Sequence, residues 1–167
     1  MDKNSISKAI GELNAAILQE LEQDARISIT EMGKRVGLSG PAVSERIKKM
    51  EDEGIITGYT THIDYDLIGL TVNAFITLKS SLTHAGVIKK IAEIPEILEC
   101  YSITGHNCLM MKVATPTTKR LEAIIGQLQQ FGETNTSIIL SEAFEKRGVF
   151  NPMLLRGTKQ SHTIQGG

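Results

Sequence analysis

Apolar positions in the first 58 residues recur at helical spacing. Leu13, Ile17, Leu18 and Leu21 fall on one face, with charged residues between them. Ser28-Ile29-Thr30-Glu31 then reads as a capping box, in which hydroxyl and carboxylate satisfy the orphan N–H groups of a helix start. The helix it opens is short, with Met32 and Val36 as its apolar side and Gly37 as its stop. Ser39 can cap a third helix that carries Pro41 in its first turn, where a missing N–H does no harm. Val43, Ile47 and Met50 give that helix an apolar seam, and Gly54 ends it.

The texture changes near Thr71. Val72, Ala74, Ile76 and Leu78 alternate with Thr71, Asn73, Phe75 and Thr77, the period of a half-buried strand. Val87, Ile88, Ile91 and Ile94 return to helical spacing, closed by Pro95. Two strands follow, Ile97 to Thr104 and Asn107 to Thr115, joined by a tight turn at Gly105-His106. A helix opens at Thr115-Pro116 and carries Leu121, Ile124, Ile125, Leu128 and Phe131. A last strand, roughly Thr134 to Glu145, completes β-α-β-β-α-β, the ferredoxin-like order. The predicted organisation is a helix-turn-helix domain over 1–58 (motif about 29–48) and a linker strand over 59–70. A ferredoxin-like domain over 71–150 and a polar tail over 151–167 follow.

Composition narrows the function. The chain has 167 residues, 41% of them hydrophobic and 22% charged, ordinary values for a packed protein. It lacks an apolar run long enough to span a membrane, and its polar start is unlike a secretory signal, so a cytoplasmic protein is expected. Net charge is −1, so any nucleic-acid contact must rest on local charge. That charge exists. Lys34, Arg35, Arg46, Lys48 and Lys49 face Glu45 alone between residues 34 and 49, within a region 1–60 whose net charge is −2. Positive charge thus concentrates on the candidate reading segment, as phosphate contact requires.

Helical geometry assigns faces within that segment. With Val43, Ile47 and Met50 turned inward, Gly40, Pro41, Ser44 and Glu45 lie near the helix start, where side chains reach base edges, and the capping Ser39 joins them in the DNA-binding set. Small residues there allow close backbone approach. Glu45 can accept from a cytosine amino group or hold a neighbouring basic side chain. Arg35, Arg46, Lys48 and Lys49 are better placed for phosphates, and Lys34 adds to the DNA-binding set. The competing reading is a plain three-helix packing element with solvated lysines. The capping box, the turn length and the apolar seam together favour DNA binding.

Three stretches, Arg26-Ile27-Ser28, Gly37 through Ile47 (GLSGPAVSERI) and Met50 through Tyr59 (MEDEGIITGY), closely resemble the Lrp/AsnC (feast/famine) regulators. The resemblance runs from about Ile10 to Arg147. It implies an α+β chain: an N-terminal winged-helix-like helix-turn-helix, a linker strand and a C-terminal ferredoxin-like sandwich. It also implies homodimers paired through their sheets and assembled up to octamers, acting on double-stranded DNA at pseudo-palindromic sites. An amino acid or related metabolite would bind near the turn between the sandwich's second and third strands. Here that turn is Thr104, Gly105, His106, Asn107 and Cys108, the candidate effector residues. Cys108 stands where the family pattern places an acid, so the turn lacks the carboxylate that would pair an effector's ammonium group. Gly11 and Asn14 also replace the family's usual acidic residues in the first helix, a change expected to affect capping only.

Neither a metal nor a cofactor is expected. Cys100 and Cys108 fall on opposite faces of a two-residue hairpin, and with His106 they match no zinc spacing. A thiol sensor at Cys108 is an alternative to a packed strand cysteine. No nucleophile–base pair or phosphate-cradling loop marks an enzyme. An architectural protein wrapping DNA with little sequence preference would share the same basic residues, and footprinting separates it from a site-specific regulator.

Overall fold

The computed structural model describes residues 10–80, 84–144 and 148–150. The predicted tail over 151–167 lies outside the described residues. The chain divides into two compact units, one formed by residues 1–61 with 145–167 and the other by residues 62–144.

The first unit contains α1 (Glu12–Gln23), α2 (Ile29–Val36) and α3 (Gly40–Asp52). Ile17, Met32, Val43 and Met50, drawn from all three helices, are fully buried at its centre. Leu18, Leu21, Ile27, Val36, Leu38, Ile47 and Ile56 pack around them. The apolar seams read along the chain therefore meet in one small core. The helix ends follow local chemistry. The Glu31 N–H donates to Ser28 Oγ at 3.2 Å, and the Ala42 N–H donates to Ser39 Oγ at 3.4 Å. Gly37 ends α2 in the left-handed region at φ 70°, as the sequence leads one to expect. Gly54 likewise stands at φ 70° just beyond α3.

The second unit is a four-stranded antiparallel sheet, β1 (Val72–Lys79), β2 (Ile97–Ser102), β3 (Leu109–Thr115) and β4 (Glu133–Ile138), in the order β2-β3-β1-β4. Helices α4 (His84–Ile91) and α5 (Thr118–Gln129) supply the apolar residues that cover one face. Strand alternation sorts the side chains. Ala74, Ile76, Leu78, Leu109, Met111 and Val113 are buried with Val87, Ile91, Leu121, Ile124 and Leu128, whereas Phe75 on the opposite face is exposed. Of the two methionines of β3, Met111 enters this core and Met110 does not.

Three sequence expectations about this unit need correction. The linker expected as a strand over 59–70 forms no ladder; residues 65–69 make a turn instead. Asp64 Oδ1 accepts from the Asp66 and Leu67 N–H groups, and the Leu70 N–H donates to Tyr65 O at 2.8 Å, so local capping replaces strand pairing. The hairpin expected to run to Thr104 and Asn107 has its strands end at Ser102 and begin again at Leu109. Its register is the one a Gly105-His106 turn imposes, with Ser102 opposite Leu109. The ladder opens early because the Cys108 N–H is taken by Leu78 O of β1. Last, β4 stops at Ile138 rather than near Glu145. Its partner β1 begins there, and the Ile139 N–H to Asn73 O bond is the final link.

Candidate nucleic-acid interface and effector turn

The turn between α2 and α3 is held closed by glycine. The Leu38 N–H donates to Gly33 O at 2.9 Å, and a Cβ on Gly33 would stand 2.6 Å from Leu38 O. Any side chain at position 33 would force the turn open. Sequence reading missed this residue, because a glycine inside a helix registers there only as a weak helix former.

Beyond this turn, the face of α3 opposite the buried Val43 and Met50 is open. Ser39, Pro41, Ser44, Glu45, Lys48 and Lys49 are exposed, and Gly40 is half-buried at the helix start. The five basic residues of the segment are not equivalent. Lys48 has no ion-pair partner among the described residues. Lys34 and Lys49 stand 3.9 and 3.7 Å from Glu31 and Glu53. Both are exposed, so these pairs hold them weakly.

The two arginines are engaged within the unit. Arg46 Nη1 donates to Asn14 Oδ1 of α1 at 3.0 Å. Arg35 Nη1 donates to Glu20 Oε2 at 2.8 Å, and its Nε donates to Glu31 Oε1 at 3.2 Å. The bond to Glu20, then that to Glu31, raises the guanidinium pKa above its ordinary value. Asn14, expected to matter only for capping, instead braces the third helix. Among the described residues no side chain caps α1, whose N-cap is Gly11.

The second site is the turn after β2. Thr104, Gly105 and His106 are exposed, and Asn107 and Cys108 are half-buried. Gly105 takes φ 109°, a conformation that favours glycine. The Cys108 thiol points into the fold rather than out of the turn. It donates to Leu78 O at 3.2 Å and accepts from the Ser80 N–H at 3.3 Å. Ser80 Oγ in turn donates to Phe131 O at 2.7 Å, and a Cβ on Gly132 would stand 2.1 Å from Lys79 O. Cys108 thus fastens the turn to the end of β1, close to where α5 leads into β4. Its sulfur occupies a structural position that an ammonium-binding acid could not fill in the same way.

Cys100 has a different environment. It lines a shallow cavity of about 280 Å³ with Ile88, Ile91, Ala92, Ile97 and Leu98, and burial pushes its thiol pKa up. Among the described residues no cluster of three His, Cys, Asp or Glu side chains could hold a metal ion.

Comparison with known proteins agrees with this geometry. A winged helix-turn-helix DNA-binding model matches residues 12–57, and an Lrp/AsnC ligand-binding domain model matches residues 71–149. The transcriptional regulator LrpC of Bacillus subtilis is 32% identical over 141 residues, covering 83% of this chain and 97% of that protein. The chain belongs to the Lrp/AsnC family. The solved structure of B. subtilis LrpC superposes with a TM-score of 0.76 at 31% identity, over 80% of this chain and 96% of that one. The feast or famine regulatory protein of Mycobacterium tuberculosis, solved in complex with L-methionine, shares the fold. It has a TM-score of 0.78 at 24% identity, over 83% of this chain and 97% of that one. This Lrp/AsnC member is accordingly a DNA-binding transcriptional regulator with a ligand-binding domain. Among its described residues no helix is long and apolar enough to cross a membrane.

Proposed function

We propose that the chain is a cytoplasmic, non-catalytic homo-oligomeric regulator that binds pseudo-palindromic double-stranded DNA and answers to an amino acid or related metabolite. The observation that carries this reading is the open face of α3, where Ser39, Pro41, Ser44, Glu45, Lys48 and Lys49 project away from the core. Ser39, Gly40, Pro41, Ser44 and Glu45 read base edges; Lys34, Lys48 and Lys49 contact phosphates. Arg35 and Arg46 contribute to the positive field while serving chiefly to fix the helices, which is what their bonds to Glu20 and Asn14 support.

Dimerisation uses the sheet face opposite the helices. Phe75 and Tyr101 are 39% and 49% exposed there, apolar surface of the kind that marks interfaces. Higher assembly, up to an octamer, places the turn Thr104–Cys108 between dimers. An effector lodged there would meet the Thr104 hydroxyl, the Asn107 amide and His106, and no carboxylate from the turn itself. The methionine complex of the mycobacterial relative supports an amino acid as the class to try first.

Footprinting over the protein's own promoter region at physiological salt tests the reading. A bounded, doubled footprint is expected; even protection without a preferred site would support architectural wrapping instead. Thermal shift against the amino acids, with oligomer size followed in parallel, tests the effector.

A further inference from the structure

Glu22, in the last turn of α1, holds residues that are distant in sequence. The Val149 N–H donates to Glu22 Oε1 at 2.9 Å, and the Phe150 N–H donates to Glu22 Oε2 at 2.8 Å. Phe150 is only 8% exposed. Gly148 lies against the same carboxylate, where a Cβ would stand 2.2 Å from Oε2. One carboxylate taking two successive N–H groups, one on each oxygen, is a charge-assisted and geometrically specific grip. The helix that provides it also holds Arg46 through Asn14 and Arg35 through Glu20. Strap, α1, α2 and α3 are thus joined through the side chains of one helix.

Chain connectivity gives this grip a consequence. Residues 62–144 form the sheet unit, and the chain belongs to the DNA-binding unit both before and after it. We infer that Gly148–Phe150 is a strap, gripped by Glu22, that ties the DNA-binding unit to the sheet unit through a second chain connection. A unit joined by one connection is free to swivel. A second tether removes orientations, so less entropy is lost when two reading helices engage one DNA. Glu22 is therefore a positioning residue for paired-site binding, and this consequence rests on the dimeric, two-half-site reading above.

The test uses the full chain and two variants, Glu22→Ala and Gly148→Ala. Glu22 is exposed, so its loss leaves the core intact. The added methyl at position 148 has only to displace a flexible carboxylate. Native-state hydrogen exchange reads the Val149 and Phe150 amides. Affinity is measured on a duplex that the protein itself selects from a random pool, and on the same duplex with one half scrambled. Both variants should exchange these amides about tenfold faster and lose about tenfold in the ratio of paired-site to single-site affinity. Single-site affinity should stay within about twofold of the parent. A general loss of stability would lower both affinities together and leave the ratio alone. Unchanged exchange overturns the grip, and lost protection with an unchanged ratio overturns the strap. A parent that binds both duplexes equally overturns the paired-site reading, and the strap's role with it, while the exchange data still report on the grip.

Discussion

Arg46 donates to Asn14 at 3.0 Å, so the third helix of the DNA-binding unit is tied to the first by a residue that sequence reading had assigned to phosphate. A half-buried guanidinium that loses this acceptor forfeits a charge-assisted bond. Asn14→Ala should therefore cost about 1–2 kcal/mol in urea unfolding. The freed Arg46 can then turn toward DNA, so nonspecific affinity should hold or rise even as stability falls. A variant as stable as the parent would show the bond to be energetically idle.

Lys48 differs from the arginines in having no ion-pair partner among the described residues. Lys48→Ala should weaken binding to all sequences alike and reduce the slope of log affinity against log salt by about one. Ser44→Ala should instead relax preference at a single base position, at a cost of roughly 1–3 kcal/mol for a good contact. Selection from a random pool read at two salt concentrations separates the two. Parent-like behaviour in both variants would show that a different face of α3 meets the DNA.

These contrasts indicate what could be read from the chain. Val43, Ile47 and Met50 repeat at helical spacing, Ser28 and Ser39 are caps, and β1 alternates cleanly. Each feature is local or periodic, and each reappeared in the fold. Asn14 and Arg46 are 32 residues apart, and no pattern in the sequence announces that they will meet. Charge alone made Arg35 and Arg46 look like phosphate ligands, because Glu20 is brought beside Arg35 only by helix packing. Cys108 shows the same limit. Strand alternation gave it a face, but its bonds to Leu78 and Ser80 depend on where β1 ends.

The Cys108 bonds make a prediction about the turn. Cys108→Ser keeps a donor for Leu78 O and an acceptor for the Ser80 N–H, so it should remain close to the parent in stability. Cys108→Val leaves the Ser80 N–H without that acceptor and should cost about 1–3 kcal/mol. Cys108→Asp sets a carboxylate against Leu78 O and should destabilise at neutral pH. Equal melting temperatures for the Ser, Val and Asp variants would remove the structural role assigned to this thiol.

Gly33 makes a sharper test of the turn geometry. Its hypothetical Cβ meets a backbone oxygen, Leu38 O, at 2.6 Å, and backbone in a turn cannot step aside as a flexible side chain can. Gly33→Ala improves intrinsic helix propensity by about 1 kcal/mol yet should destabilise the unit by roughly 1–3 kcal/mol through overpacking. A melting temperature at or above the parent's would mean the turn relaxes freely.

Acid should loosen the sheet unit at one identifiable pair. Arg120 Nε donates to Glu96 Oε1 at 2.5 Å, and that hydrogen bond holds the Glu96 pKa below its ordinary value despite the opposing effect of burial. A carboxyl whose folded pKa is depressed adds stability that is fully present above the unfolded value, near 4.3. That stability is lost as pH falls through the lower folded pKa. Among the described residues Glu96 Oε2 is buried with no hydrogen-bond partner, so removing the arginine leaves the carboxylate still worse compensated. Arg120→Ala should lower stability at pH 7, modestly because the guanidinium is partly exposed. The difference from the parent should shrink as pH falls through the parent's lowered folded pKa, below which Glu96 is neutral in both proteins. Urea unfolding of parent and variant at pH 7 and pH 3.5 measures this. A cost independent of pH would assign the effect to lost packing of the Arg120 side chain instead of its charge.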